Sequence, residues 1–286
     1  MSAPRHTDSK VSSRLVRLLP YLGVALGLAI IAFYPASEAV DAWRRGQIAV
    51  QLDQTAAAMD RSRKDELLAQ AHAYNQRLAG EQPDIADQDI WPYKQQLSED
   101  GADTAFAYIV IPDIDLTMPV YHGTDNAALS AGVGHLEQTS LPVGGESAHA
   151  ALSAHSGMSG MRAFDEIDQL EPGDVFGIRV LGDLYCYRVM GSETVLPEEE
   201  GILEVEAGRD LCTLITCTPY GVNDHRLLVH GERCAVPDGF GDTAVTPADI
   251  VTNRRVWPLL LAIAAIVAVA IALFVNRRLS TGRKRQ

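Results

Sequence analysis

Basic residues are the scarcer charge, with 24 Lys+Arg against 37 Asp+Glu in 286 residues and a net charge of −13. A protein that neutralises a phosphate backbone needs the opposite balance, so a basic nucleic-acid binder is excluded. Charge of either sign is sparse, 21% of residues against 47% hydrophobic, which is too apolar for a disordered chain. No internal repeat of fixed period and no low-complexity tract is present, and no Cys/His cluster has the spacing of zinc ligands. The sequence therefore implies neither a metal nor any other cofactor.

What is there begins at the two ends. Leu18 to Ser37 and Val256 to Asn276 are runs of twenty and twenty-one residues without a formal charge, each long enough to span a bilayer, which takes about 20 apolar residues. The first exceeds the roughly 7 to 15 residues of a signal-peptide core, so it reads as an uncleaved anchor. Arg5, Lys10, Arg14 and Arg17 precede it, and Arg277, Arg278, Arg283, Lys284 and Arg285 follow the second run. Basic flanks stay cytoplasmic. The expectation is a cell-membrane protein with cytoplasmic tails 1–17 and 277–286, spans 18–37 and 256–276, and everything between them outside.

Within that outer segment, 38–79 is rich in Ala, Leu, Gln, Glu, Lys and Arg, and from Ala49 to Leu78 it lacks Gly and Pro, a composition that favours helix. Leu52, Ala56, Met59, Leu67, Leu68, Ala71 and Tyr74 recur at three- and four-residue spacing, predicting one or two amphipathic helices. Residues 80–104 are acidic and aperiodic and read as a long loop, a length that is uncommon without a role. From Ala105 to about residue 236, short β-branched or aromatic runs separated by Gly, Pro, Asp and Asn have an all-β rhythm, sandwich or barrel. Residues 237–255 read as a linker.

Chemistry concentrates at the ends of those runs. Cys217 closes Thr213-Leu214-Ile215-Thr216 and precedes the turn Thr218-Pro219-Tyr220-Gly221, while Arg226 opens the next run. A hairpin there would set thiol and guanidinium side by side, where a fixed cation lowers a thiol pKa or holds a developing oxyanion. A thiol nucleophile also needs a base or a charged partner. His155, after the strand pattern Ala150 to Ala154, is the foremost of eight histidines; His122, His135, His225 and His230 are weaker candidates. Cys186, Cys212 and Cys234 leave room for at most one disulfide that spares Cys217. Cys212 with Cys234 is one geometric option, and three buried thiols are the other.

The run Thr213 to Cys217, followed by His225-Arg226-Leu227-Leu228-Val229, resembles the TLxTC signature and downstream arginine of sortases, in particular the class C, pilin-polymerising sortases. Tyr121-His122-Gly123-Thr124, the run Gly134 to Gly145, Phe164, Gly173-Asp174 and the basic tail after a terminal apolar span support it. The resemblance implies a sortase-type closed β-barrel of about eight strands, with short helices, an N-terminal helical segment and two flanking transmembrane helices. It places the nucleophile on Cys217, the histidine on His155 and the arginine on Arg226, with Leu214 and Thr216 as substrate-binding positions. Relatives surround the histidine with Thr-Gly-His-Arg-Gly; here the text is Ser153-Ala154-His155-Ser156-Gly157. Class C enzymes carry an Asp-Pro-aromatic lid, and Asp89-Ile90-Trp91-Pro92-Tyr93 offers its ingredients in a changed order. Asp89 and Trp91 are thus the expected lid anchors within 80–104.

The implied activity is a cysteine transpeptidase that cleaves an LPxTG-type sorting signal between Thr and Gly. It passes the acyl group to a pilin lysine or, alternatively, to a peptidoglycan-precursor amine. Of a different class are a peptidase using the same residues and a wall-anchored surface protein. The last would need an LPxTG-like pentapeptide just before its terminal span, and Asp242 to Trp257 contains none.

Overall fold

The computed structural model describes residues 40–41, 43–98, 104–157 and 161–240, with the isolated positions 27, 33 and 266. The chain divides into two units, 1–40 with 254–286 and 41–253, and the described residues fall almost wholly in the second. Among them no helix is long and apolar enough to cross a membrane. The two expected spans lie outside the described residues apart from those isolated positions.

The helical expectation resolves into two helices, α1 over 43–58 and α2 over Arg61–Leu78, separated by a bend at Met59 and Asp60. Leu67, Ala71 and Tyr74, spaced at i, i+4 and i+7, are buried on one face of α2. Two buried polar residues on that helix bind backbone elsewhere. Asn75 donates to Leu141 O at 2.9 Å and accepts from Leu141 N at 2.7 Å. Gln70 donates to Asp89 O at 3.2 Å and accepts from Trp91 N at 2.9 Å.

The β segment is a closed barrel of eight strands: β1 (Ala107–Ile111), β2 (Leu116–His122), β3 (Val133–His135), β4 (Ala148–Ser153), β5 (Val175–Val180), β6 (Asp183–Val195), β7 (Asp210–Thr218) and β8 (His225–Cys234). They close in the order β1-β2-β3-β4-β7-β8-β6-β5. Two pairs are parallel, β2 with β3 and β4 with β7, so the barrel is mixed. The first crossover carries the short helix α3 (Asn126–Ala131), whose N-terminus Asp125 caps by accepting from Ala127 N and Ala128 N, as an N-cap carboxylate does. Large apolar side chains such as Ile109, Met118, Leu152, Phe176 and Leu214 fill the interior.

Two histidines are built into this core. Tyr93 Oη donates between His135 O and His135 Nδ1, at 2.8 and 2.9 Å, and Gly123 N donates to the same hydroxyl at 2.9 Å. The opposite ring nitrogen of His135 lies 2.8 Å from Ser140 O. His122 packs against Phe106 and edge-on to Tyr93. Burial pushes both imidazoles from 6.5 down to about 4. Between those values the unfolded chain binds protons that the folded one refuses, so stability is full above about pH 6.5 and falls as the pH drops toward 4. The loss is on the order of 3 kcal/mol per histidine at 1.36 kcal/mol per pKa unit. Urea midpoints recorded between pH 7 and 4 should fall steadily, and a flat series would contradict neutral burial of these rings.

Candidate active site

The β7–β8 turn sets the first two site residues. Val222 N and Asn223 N both donate to Pro219 O at 3.0 Å, and Gly221 and Asn223 take the positive φ values of 79° and 62° that this reversal requires. Tight closure brings Cys217 directly opposite Arg226 in the antiparallel register. Arg226 Nη1 donates to His225 O at 3.2 Å and to Asn223 O at 3.4 Å, so the turn also orients the guanidinium.

The third residue arrives from β4. Its parallel register with β7 ends at Ser153 opposite Ile215, and contact continues one residue further. Ala154 N donates to Ile215 O at 3.1 Å, and Thr216 Oγ1 donates to Ala154 O at 2.9 Å. His155 then falls level with Cys217 on the side away from Arg226, and Phe164 N donates to its carbonyl at 3.1 Å. Neighbouring strands are about 4.8 Å apart. Imidazole, thiol and guanidinium thus stand on three neighbouring segments of the barrel at one end, with Cys217 half-buried.

Strand alternation decides what else faces that site. Leu214 is in the core and Thr216 is buried, its hydroxyl spent on Ala154. Both lie on the inward parity of β7. The positions that share the face of Cys217 are Ile215 and Thr213. Ile215 forms a separate apolar floor with Ala151, Val195 and Leu228, against which Leu136 and Leu203 pack. Counting by twos from Cys217 was enough to find it in the sequence.

Asp89 and Trp91 are placed on the α2 side. Their backbones bind Gln70, and the Trp91 ring lies under the Arg63 guanidinium at 5.3 Å. From the same loop, Ile90, Tyr93 and Leu97 join the buried core. Among the remaining histidines, His122 and His135 are core residues, His225 pairs with Asp224 at 2.8 Å, and His230 lies 3.1 Å from Glu193. All four cysteines are free. Cys212 sits opposite Gly231, and the cross-strand partner of Cys234 is Cys186 rather than Cys212. Among the described residues no group of three or more His, Cys, Asp or Glu could hold a metal ion.

Comparison with known proteins agrees with this architecture. A model described as "Sortase domain" matches residues 109–234. Sortase C1 from Streptococcus agalactiae is 37% identical with a TM-score of 0.59, the match covering 64% of this chain and 95% of that one. A Clostridium perfringens sortase C, solved with a C-terminal cell wall sorting motif, is also 37% identical, TM-score 0.56, covering 64% and 95% of the two chains. The curated Sortase A of Streptococcus agalactiae serotype III (strain NEM316) is 28% identical over 127 residues, 43% of this chain. The chain spans about half the length of that relative, 51%.

Proposed function

The chain belongs to the sortase family, and from that premise we propose that it is a membrane-anchored cysteine transpeptidase of the pilin-polymerising kind. The observation that carries the reading is Cys217 at a strand end, opposite Arg226 and level with His155. The Cys217 thiolate attacks the Thr carbonyl of an LPxTG-type signal. Arg226 stabilises the oxyanion, and protonated His155 donates its proton to the departing Gly amine, leaving an acyl thioester. A pilin lysine amine then gives up a proton to His155, attacks the thioester and releases the thiolate with an isopeptide bond. The apolar floor of Ala151, Val195, Ile215 and Leu228 suits the Leu and Pro of the signal. Neither step uses a metal or an organic cofactor.

The test is the full chain with a sorting-signal peptide, read by intact mass. A thioester adduct on Cys217 is expected, converted to an isopeptide when a lysine-bearing pilin fragment is added. Conversion by a wall-precursor amine alone would make it a wall-anchoring enzyme, and hydrolysis with every acceptor a peptidase. The reading includes two spans, cytoplasmic tails and an extracytoplasmic barrel, motivated by the basic flanks at 5–17 and 277–285. Cysteine tags placed in either tail should resist an impermeant thiol reagent in intact cells, and their labelling would reverse that topology.

A further inference from the structure

Beyond the apolar floor, on the same outer face as Cys217, lies a shallow cleft lined by His149, Ser192, Glu193, Thr213 and His230. Its side chains form one unbroken series. His149 Nδ1 lies 2.9 Å from Glu204 O, and His149 Nε2 lies 2.8 Å from Thr213 Oγ1. Thr213 Oγ1 lies 2.9 Å from His230 Nδ1, and His230 Nε2 lies 3.1 Å from Glu193 Oε1.

Both ends of this series, a carbonyl and a carboxylate, only accept. Its four hydrogen bonds therefore need four protons, whereas two neutral imidazoles and one hydroxyl supply three. The series is complete only with one proton more. His149 is buried, and burial lowers its pKa, so the extra proton resides on His230 at the rim beside Glu193. His149 Nδ1–H then donates to Glu204 O, Thr213 O–H donates to His149 Nε2, and His230 donates to Thr213 and to Glu193. The other charges acting on His149 are Glu206 and Arg209 on the β6–β7 segment, with Arg209 bonded to Glu206 and to Glu232 of β8.

We propose that the series His149–Thr213–His230–Glu193 is a proton-loaded tether that positions the wall of the donor-peptide groove, so that donor binding weakens as the proton is lost. The inference rests on the functional reading of the groove given above. Glu204, the residue tethered, follows Leu203, which packs on the apolar floor. When the extra proton leaves, His230 Nε2–H keeps the charged Glu193 acceptor, Thr213 O–H turns to His230 Nδ1 and His149 Nε2–H donates to Thr213. The Glu204 carbonyl is then the acceptor left without a donor, and the segment bearing Leu203 is released. Chemistry at Cys217 is untouched, because Thr213 is four residues away along β7, about 13 Å at 3.3 Å per residue. His149 and His230 are thus positioning residues.

The decisive variant is Glu193→Gln. A glutamine amide N–H donates to His230 Nε2, His230 Nδ1–H donates to Thr213, and every bond is then made with both rings neutral. The experiment follows the full chain across about pH 5 to 8, the range of imidazole titration. It reads hydrogen-exchange protection of residues 196–209, corrected for intrinsic rates, together with donor KM and kcat. In the wild type, protection should fall and KM rise as pH increases, by roughly tenfold, the equilibrium worth of one hydrogen bond. In Glu193→Gln both should stay at their low-pH values, and in Thr213→Val protection should be low throughout. Protection that ignores pH in the wild type, or that varies equally in Glu193→Gln, overturns the tether. Protection that follows pH while KM does not overturns its control of donor binding. A chain that shows the exchange pattern yet never acylates Cys217 counts against the transpeptidase reading instead.

Discussion

Cys217→Ala is expected to give a protein that folds normally and forms neither thioester nor isopeptide. The thiol is half-buried at a strand end and belongs to neither apolar cluster, so its removal should change stability by no more than about 0.5 kcal/mol, the usual range for such sites. Its chemistry has no substitute. Cys212 is fully buried, with burial holding its thiol well above the usual range, and burial lifts Cys186 to about 11. Loss of the group that carries the covalent intermediate should lower turnover by about 10⁴-fold or more. Intact mass after incubation with the sorting peptide decides the matter, alongside an unchanged thermal midpoint. An acyl adduct on the alanine variant would remove Cys217 from the mechanism.

How far the sequence could be read is clearest at particular strands. The short β-branched and aromatic runs after Ala105 announce an all-β fold, sandwich or barrel, and several strands, such as Ala148–Ser153 and Asp210–Thr218, are buried along nearly their whole length. Nothing in those runs announces that β4 and β7 are parallel neighbours, since that pairing is set by a crossover from Ser153 to Asp210. It was the unseen pairing that hid His149, an ordinary strand residue in the text, which the register brings beside Thr213. The burial of Leu214 and Thr216 is invisible in the text for a related reason. A motif fixes spacing along the chain, but only the parity counted from Cys217 tells inward from outward. In the loop before the barrel, the lid motif of the sortase resemblance points to Asp89 and Trp91 as anchors. Tyr93 of the same loop is seated in the core, its hydroxyl bonded to His135 and accepting from Gly123 N.

Arg226→Lys, though it conserves charge, should cost about 10²- to 10³-fold in kcat, the range for removing one oxyanion donor. In the wild type Nη1 is engaged with the carbonyls of Asn223 and His225. A guanidinium, with five N–H donors in one plane, can hold the turn and still meet an oxyanion at Cys217. An ammonium is a point charge on a flexible stem, and satisfying the turn carbonyls draws it away from the strand opposite. The two roles open to the arginine separate kinetically. If it stabilises the tetrahedral oxyanion, kcat falls while KM holds; if it grips the bound peptide, KM rises while kcat holds. The expected result is the first. A single-turnover acylation rate and a KM both within about twofold of wild type would leave Arg226 with only the turn to support.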